Sequence, residues 1–409
     1  MVFSRSRFGL NSRVWNVIFL LCILLLSACA PEGAKNWPFS IGPQTYAVGL
    51  GDLNGNGHLD AFLANGENEV PVPNTIWLND GAGNFQDSGQ QIGKRESRYV
   101  LLADMDNDGH LDAMVSNTGE ITIYRNDGQG VFGAASRSLG QRESGSYILA
   151  PAVGDVNNDG WLDVLGGGCC GAGRTWDDGR QRFYPAQDSL WISDGQGEYI
   201  HSEQWFDILG TKAIALGDLN GNGYLDAFFA NHSSLVGNTH DLDRFQANTI
   251  WFNNGQGIFT MSHQTLGEAM SLSVVLGDLD GDGDLDAIVG NEGKDEVWLN
   301  RGGQQGWIEG EFLLNSQFGD SSQTRDLYLV DFNGDGKLDV LAVGHNRARI
   351  WKNDGLAQFT SGPQFSFKPQ HALAVGDLNG DGFLDIFAGS VNHGILVWLN
   401  DGQGKFTKK

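Results

Sequence analysis

Short apolar runs separated by polar turns follow one another from about residue 37 to the end of the chain. One run precedes an acidic loop, as in Ser273–Gly277, and a second run follows the loop, as in Leu285–Val289. A third run begins with an aromatic residue, and a fourth follows a turn of the Asn-Asp-Gly type. Because such turns between apolar runs favour hairpins, the pattern predicts a four-stranded antiparallel unit.

This unit is repeated along the chain. The acidic loop has nine residues and occurs seven times, at intervals of 46 to 63 residues. The seven acidic loops are Asp52–Asp60, Asp104–Asp112, Asp155–Asp163, Asp218–Asp226, Asp278–Asp286, Asp331–Asp339 and Asp377–Asp385. An aromatic-led pattern follows each loop and begins at Trp77, Tyr124, Trp191, Trp251, Trp298, Trp351 and Trp398. We interpret these aromatic residues as packing anchors between the units.

Self-similarity at this period indicates one supersecondary unit copied along the chain. Seven four-stranded copies predict an all-β protein, a seven-bladed β-propeller over residues 37–409, with no helix of normal length. The chain stops soon after Phe406, where the other copies continue into a fourth strand. We therefore expect Trp37–Ile41 to complete the last blade.

The first residues of the chain have the pattern of an export signal. Three arginines precede an apolar stretch of 15 residues, Val14–Ala28, which is shorter than the roughly 20 residues that a membrane span needs. It ends in Leu26-Ser-Ala-Cys29, which resembles the lipobox of bacterial lipoproteins. The resemblance implies that residues 1–28 are a signal peptide, that Cys29 is acylated and that residues 29–36 are a tether. Ordinary signal cleavage after Ala28 or Ala30 remains the alternative.

Either form of processing predicts an exported protein. With the lipid anchor, the chain is expected on the outer side of the cytoplasmic membrane or in the outer membrane. Only Cys169 and Cys170 are then left, so there is no disulfide framework. These adjacent cysteines are expected either to form a strained vicinal disulfide or to be two free thiols.

Composition narrows the classes of partner. The chain has 50 acidic and 26 basic residues and a formal net charge of −24, which argues against nucleic acid as a partner. Hydrophobic residues make up 40% of the chain and there are 12 tryptophans, so the acidic chain has ample material for a folded core.

The acidic loops have the ligand spacing of a calcium site. Positions 1 and 9 are always Asp, positions 3 and 5 are Asn or Asp, and position 6 is always Gly. Position 7 varies freely, as expected where a backbone carbonyl is the ligand, and oxygen donors at positions 1, 3, 5, 7 and 9 suit calcium better than magnesium. Acidic hairpin turns without a metal are the alternative, although their like charges would repel one another.

The sequence thus predicts about seven calcium sites. We expect tighter binding at the loops that begin at Asp104 and Asp278, which have four ligand aspartates each, than at those that begin at Asp52 and Asp218, which have two. The candidate ligands are Asp52, Asn54, Asn56, His58, Asp60, Asp104, Asp106, Asp108, His110, Asp112, Asp155, Asn157, Asp159, Trp161, Asp163, Asp218, Asn220, Asn222, Tyr224, Asp226, Asp278, Asp280, Asp282, Asp284, Asp286, Asp331, Asn333, Asp335, Lys337, Asp339, Asp377, Asn379, Asp381, Phe383 and Asp385.

These loops and blades resemble the FG-GAP and VCBS-type repeats of integrin α-subunit heads and of many bacterial surface proteins. The resemblance covers residues from about 37 to 409 and implies a calcium-binding seven-bladed propeller. The Phe-Gly…Gly-Ala-Pro signature that names the family is absent or degenerate, so the repeats are FG-GAP-like.

Partner binding is expected at the end of the blades opposite the acidic loops, where two neighbouring blades have long insertions. These insertions span residues 166–188 and 231–248, and long loops on a rigid scaffold often carry function. The candidate partner-binding residues are Arg174, Trp176, Arg182, His232, His240 and Arg244. Loops that merely cover the sheet ends are the alternative.

Four further residues are expected on this same face. Cys169, His232, Glu292 and His345 each come six residues after a ninth-position Asp, on four consecutive blades. They could form a metal or acid/base cluster, although only side chains of adjacent blades are expected to meet.

The favoured function is a monomeric surface module that binds an extracellular protein or glycan. The alternative is an extracellular polysaccharide lyase or dehydratase-like enzyme. That alternative rests on fold analogy alone, because no catalytic motif can be assigned.

Overall fold

The computed structural model describes residues 44–66, 72–117, 120–140, 147–169, 173–177, 180–184, 188–204, 206, 210–232, 246–302, 310–319, 323–367 and 372–409. For residues 147–150, 169, 173–177 and 180–184 the description is limited to the backbone. The signal segment, Cys29, the tether and Trp37–Ile41 lie outside these ranges. Among the described residues there is no helix of a length and hydrophobicity that would cross a membrane.

Every regular element in the described part of the chain is a β-strand, as the sequence predicts. The thirty strands form seven four-stranded antiparallel sheets and one separate hairpin. Blade 1 consists of β1 (Gln44–Gly51), β2 (Asp60–Gly66), β3 (Asn74–Asn79) and β4 (Phe85–Ile92). Blade 2 consists of β5 (Ser97–Ala103), β6 (Asp112–Asn117), β7 (Glu120–Asn126) and β8 (Phe132–Leu139).

Blade 3 contains the hairpin as an insertion between its second and third strands. Its four strands are β9 (Tyr147–Gly154), β10 (Asp163–Cys169), β13 (Ser189–Ser193) and β14 (Tyr199–His201), and the hairpin is β11 (Gly173–Asp177) with β12 (Arg180–Tyr184). Blade 4 consists of β15 (Thr211–Gly217), β16 (Asp226–Asn231), β17 (Asn248–Asn253) and β18 (Phe259–Leu266).

The last three blades repeat the simple meander. Blade 5 consists of β19 (Ser271–Gly277), β20 (Asp286–Asn291), β21 (Asp295–Asn300) and β22 (Phe312–Phe318). Blade 6 consists of β23 (Asp326–Val330), β24 (Asp339–Val343), β25 (Arg347–Asn353) and β26 (Phe359–Ser366). Blade 7 consists of β27 (Ala372–Gly376), β28 (Asp385–Ser390), β29 (Gly394–Asn400) and β30 (Phe406–Lys408).

Burial orders the strands from the centre of the molecule to its rim. The first strands of neighbouring blades pack side by side, and the second strands are buried along their length. The fourth strands alternate between buried and exposed residues, as in β18, because one of their faces meets solvent. The first strands therefore surround the central axis and the fourth strands form the outer edge.

Seven hydrophobic clusters within the described residues hold the blades together, one at each junction. Five clusters contain one of the aromatic residues that begin the aromatic-led pattern, such as Tyr124 between blades 1 and 2 and Trp398 between blades 6 and 7. The other two such residues, Trp77 and Trp351, are partly buried and pack against the remaining two clusters. The prediction that these residues are packing anchors is confirmed.

The ring closes between blades 7 and 1. Val48 and Leu63 of blade 1 share a core with Phe387 and Val397 of blade 7. The short strand β30 occupies the fourth position of blade 7 and pairs with β29. The last blade therefore obtains its fourth strand from the C-terminus of the chain, in the place that we expected Trp37–Ile41 to fill.

Candidate functional site

The acidic loops join the first strand of each blade to the second, and the Asn-Asp-Gly turns join the third to the fourth. Both kinds of connection therefore lie at one end of the propeller, as predicted. We call this end the loop face. The opposite end, where the innermost strands begin, is the channel mouth.

The aspartate at position 1 organises each loop by accepting hydrogen bonds from the loop backbone. In the first loop, Asp52 Oδ1 accepts from the amide of Gly55 at 2.8 Å, and Asp52 Oδ2 accepts from the amide of Gly57 at 2.9 Å. Positions 4 and 6 have positive φ angles in all seven loops, including 56° at Asn107 and 59° at Asn158. This conformation explains why position 4 is Gly or Asn and position 6 is always Gly.

The aspartate at position 9 ties the acidic loop to the neighbouring turn. In blade 4, Asp226 Oδ2 accepts from the amide of Leu219 at 3.0 Å, and Asp226 Oδ1 accepts from the amide of Asn253 at 2.7 Å. All seven aspartates at this position are at most 1% exposed, and each has the bond to the turn. Sequence reasoning identified these residues only as ligands and missed this structural role.

Burial raises the pKa of every ninth-position carboxyl. The pKa rises to about 7 at Asp286 and to about 6 at Asp112, Asp163, Asp226, Asp339 and Asp385, and it is also raised at Asp60. Nearby loop carboxylates add to these shifts, and the backbone hydrogen bonds oppose them. A nearby cation would favour the ionised form of each group.

Carboxylate oxygens converge in the two loops that have four ligand aspartates. Oxygens of Asp104, Asp106 and Asp108 lie within 4.8 Å of one another, and so do oxygens of Asp278, Asp280 and Asp286. These are the loops for which the sequence predicts the tightest binding.

The oxygens in these two loops have the chemistry that calcium needs. Asp106 Oδ1, Asp112 Oδ2 and Asp280 Oδ1 are buried and have no hydrogen-bond partner. One basic side chain compensates part of the charge in each loop, since Arg125 pairs with Asp106 and Arg301 Nη1 lies 3.5 Å from Asp280 Oδ2. Carboxylate oxygens without a partner remain in both loops, and calcium prefers such oxygen ligands. The residues present therefore fit a calcium ion.

The variable side chains at position 7 lie over the glycine of the Asn-Asp-Gly turn. A Cβ atom added to Gly81 would lie 2.4 Å from the ring of His58, and one added to Gly402 would lie 2.4 Å from the ring of Phe383. His110, Trp161, Tyr224 and Lys337 lie in the same way over the glycines of their own blades. The side chain at position 7 thus covers the turn although its type varies freely. This is in addition to the predicted role of the position 7 carbonyl as a calcium ligand.

The candidate partner-binding residues fall partly within the described chain. Arg174, Trp176 and Arg182 belong to the hairpin β11–β12, in which Arg174 pairs with Phe183 and Arg182 with Thr175 along the backbone. The side chains of these residues, the thiol of Cys169, and Cys170, His240 and Arg244 lie outside the description. His232 is described, and it is at the channel mouth.

The structure brings together His232 and Glu292 of the four residues predicted to share this face. His232 Nε2 lies 3.4 Å from Glu292 Oε1, and the side chain of Gln323 donates to the same oxygen at 2.8 Å. His345 is on the next blade, where burial lowers the pKa of its imidazole and the charge of Arg325 adds to the shift. His232 of blade 4 and Glu292 of blade 5 thus meet, as expected for side chains of adjacent blades.

Lys212 and Arg325 are members of this group that sequence reasoning missed. Lys212 is 2% exposed, and burial lowers its pKa to about 8 while the carboxylate of Glu292 opposes the shift. Burial also lowers the pKa of Arg325, which lies near Asp326 and Glu292. The sequence feature that could have identified Lys212 is its position between Thr211 and Ala213, where a lysine begins an otherwise apolar innermost strand.

Residues of five innermost strands are displaced by β-bulges. The pairing of the first strand with the second skips one residue in each of blades 1 to 5. The skipped residues are Tyr46, Arg98, Ala150, Lys212 and Leu272. Because a bulge re-aims a side chain, Arg98 and Lys212 reach sites at the mouth that regular pairing would not give them.

Comparison with known proteins agrees with this architecture. FG-GAP-like repeats match residues 52–115, 104–166, 218–289, 278–342 and 331–388. No curated protein sequence matches the chain significantly.

Solved structures that are similar to this chain include BBS1N and two lectins. BBS1N, in a complex with ARL6DN soaked with lead, is 13% identical, with a TM-score of 0.57 and 87% of this chain and 91% of that chain covered. BP39L lectin from Burkholderia pseudomallei is 13% identical, with a TM-score of 0.55 and coverages of 89% and 98%. An Agrocybe aegerita lectin that recognises non-reducing terminal N-acetylglucosamine is 20% identical, with a TM-score of 0.40 and coverages of 90% and 80%. At 13% identity, the likeness to BBS1N and to the Burkholderia pseudomallei lectin concerns the fold.

Proposed function

Since the chain belongs to the family of FG-GAP-like repeat proteins, we propose that it is an exported, calcium-stabilised binding module for an extracellular glycan or protein. Calcium ions at the loop face stabilise the ring. The partner binds at the opposite end, where the channel mouth and the long insertions of blades 3 and 4 lie. Acylation of Cys29 attaches the module to a membrane.

The observation that carries this proposal is the difference between the two ends of the propeller. At the loop face, side-chain oxygens are used to fold the acidic loops and to tie them to the turns. At the channel mouth, polar side chains from three different blades meet one another, although Lys212 is almost fully buried. A polar group assembled from separate blades is typical of a binding site on a rigid scaffold.

A glycan array and a panel of immobilised extracellular proteins test the proposed function. A protein that begins at residue 37 should bind at least one glycan or protein saturably in a buffer that contains calcium. Binding should weaken when a chelator removes the calcium, because the fold is then less stable. The same mixtures should be assayed for unsaturated sugar products. Turnover of a polysaccharide would overturn the binding-module proposal in favour of the lyase alternative, and the absence of any saturable ligand would contradict it.

Membrane attachment is tested separately with the full chain. Cys29→Ala should release the protein from the membrane fraction and abolish metabolic labelling by a fatty acid. Cys22→Ala, within the apolar stretch, is the matched control and should leave both unchanged. A membrane-bound, labelled Cys29→Ala protein would contradict the proposed anchor.

A further inference from the structure

The channel mouth contains buried basic side chains in a strongly acidic protein. Arg98 and Lys212 are the two basic residues that are less than a tenth exposed in the described part of the chain. Both are at bulges near the start of innermost strands. Arg98 lies over the ring of Tyr46 and pairs with Glu96, whereas Lys212 faces the group formed with His232 and Glu292.

The backbone fixes the accessible members of this group. The amide of His232 donates to the carbonyl of Gly210 at 3.1 Å, and the amide of Glu292 donates to the carbonyl of Met270 at 2.9 Å. Glu292 also forms an isolated β-bridge with Gln323 of the next blade. The side chains of His232 and Glu292 nevertheless remain 22% and 32% exposed, so a ligand can reach them.

Charges of both signs act on one another within this group. Lys212 and Arg325 contribute two positive charges, and Glu292 and Asp326 contribute two negative charges. Burial and the charge of Lys212 lower the pKa of His232, while Glu292 opposes the shift, and the pKa of His345 is lowered as well. Near neutral pH the imidazoles therefore add hydrogen-bonding groups and little net charge. A balanced set of donors and acceptors does not favour a strongly charged ligand.

We infer that His232, Glu292, Gln323 and Arg325 form a subsite for a neutral sugar, which they recognise through two adjacent hydroxyl groups. This inference rests on the proposed binding function and names its ligand class. Each hydroxyl of a vicinal diol can donate one hydrogen bond and accept another. Glu292 supplies charged acceptor oxygens, and His232, Gln323 and Arg325 supply donors beside it, so a diol can bond to both kinds of group at once.

Charged ligands fit this group less well than a neutral sugar does. A sugar acid or an acidic peptide would place its carboxylate next to Glu292 and Asp326, where like charges repel. A basic peptide would meet Lys212 and Arg325 in the same way. A neutral diol meets neither source of repulsion.

NMR of the histidine side chains in the calcium-loaded protein tests the subsite directly. The probes are methyl glycosides of glucose, galactose, mannose and N-acetylglucosamine, together with glucuronic acid and a hexaglutamate peptide. At least one neutral glycoside should shift the imidazole signals of His232 saturably, and the analogue that lacks one hydroxyl of the diol should bind about tenfold more weakly, because one charge-assisted hydrogen bond is lost.

Two variants and a distant control locate the binding. Glu292→Gln should weaken binding of the neutral glycoside about tenfold, and His232→Gln, which serves if Glu292→Gln does not fold, should weaken it severalfold. Lys352→Met removes a basic side chain near the loop-face end of β25 and should leave the affinity unchanged.

Three results would overturn the inference. These are exclusive binding of glucuronic acid, competition by the hexaglutamate peptide at the same histidine signals, and glycoside binding that Glu292→Gln leaves unaltered. If Glu292→Gln leaves glycoside binding unaltered, a ligand found on the glycan array would still support the proposed binding function. The binding function and the sugar subsite can therefore be contradicted separately.

Discussion

At the scale of single residues, the aspartate at position 9 has a structural task and is also a candidate calcium ligand. Its oxygens accept backbone hydrogen bonds from the acidic loop and from the turn, and the spacing also predicts it as a calcium ligand. A carboxylate has about four lone-pair directions, so both tasks are compatible. The structural task does not require a metal, and this allows the two tasks to be separated by mutation.

Asp60→Ala should destabilise the protein by about 3 kcal/mol even in the presence of a chelator. The substitution leaves the buried amides of Leu53 and Asn79 without their acceptor, and each unsatisfied buried group costs roughly 1–3 kcal/mol. Urea unfolding in chelator and in calcium measures the change. Asp87→Ala removes a carboxylate from the outer strand β4 and is the matched control, with an expected effect below about 1 kcal/mol. A loss for Asp60→Ala that appears only with calcium would show that the carboxylate acts through the metal alone.

The raised pKa values at position 9 predict how the metal-free protein responds to pH. Because the folded-state pKa of about 6 to 7 at six of these carboxyls exceeds the unfolded value, the folded chain binds more protons between about pH 4 and pH 7. Their contribution to stability is therefore greatest at the acid end of this window and is lost as pH rises. In chelator, the Tm should be higher at pH 5 than at pH 7.5.

Calcium should reverse this trend, since an ion favours the ionised carboxylates. The rise in Tm on adding calcium is expected to be larger at pH 7.5 than at pH 5, as measured by calorimetry at both pH values with and without chelator. A metal-free Tm that increases steadily from pH 5 to pH 7.5 would contradict the effect assigned to these carboxyls.

At the scale of elements, the third strand ends in a residue that connects neighbouring blades in six of the seven blades. In these six blades the residue is an asparagine. Its side-chain Nδ2 donates a hydrogen bond to the carbonyl at position 2 of the acidic loop in the preceding blade, at 2.7 to 3.0 Å. The exception is Ser193 of blade 3, whose shorter side chain accepts from the amide of Gly195. The asparagine of the Asn-Asp-Gly turn is thus a bridge between blades as well as a turn residue.

Asn253→Ser should test this bridge by placing the blade 3 residue in blade 4. The substitution removes bonds to the carbonyls of Val156, at 2.7 Å, and Leu225, at 3.1 Å, and should cost about 1–3 kcal/mol. Asn254→Ser, one residue further along the same turn, removes a contact in an exposed turn and is the control. Urea unfolding of both variants measures the difference. Equal stabilities for the two would show that the bridge contributes nothing.

The sequence predicted the elements well because their signals are local and repeated. Seven loops, seven turns and the runs between them specify four strands per blade without any knowledge of distant contacts. The bridges of the asparagines and the burial of Lys212 depend instead on which blades become neighbours and on bulges that shift the pairing by one residue. Neither leaves a periodic signal, so the polar group at the channel mouth could be predicted only in part, through His232 and Glu292.

At the scale of the whole molecule, the net charge of −24 has a definite location. Acidic residues concentrate in loops at one end, where like charges lie close together around buried oxygens without partners. Without cations, the carboxylates at this end repel one another. The hydrophobic clusters at the blade junctions do not depend on cations and hold the ring together. Loss of calcium should therefore weaken the loop face first while the propeller keeps its strands.

Chelation should lower the Tm by at least about 5 °C in a calorimetric melt at pH 7.5. One site occupied at 100 times its dissociation constant contributes about 2.7 kcal/mol, and two tight sites at the loops beginning with Asp104 and Asp278 suffice for a shift of this size. Asp108→Asn should reduce the calcium-dependent part of the shift, whereas Asp127→Asn, in the exposed turn of the same blade, should not. An unchanged midpoint in chelator would contradict the calcium sites. Magnesium that restores the Tm as fully as calcium would contradict the ion assigned to them, because the smaller ion prefers a tighter and more hydrated shell.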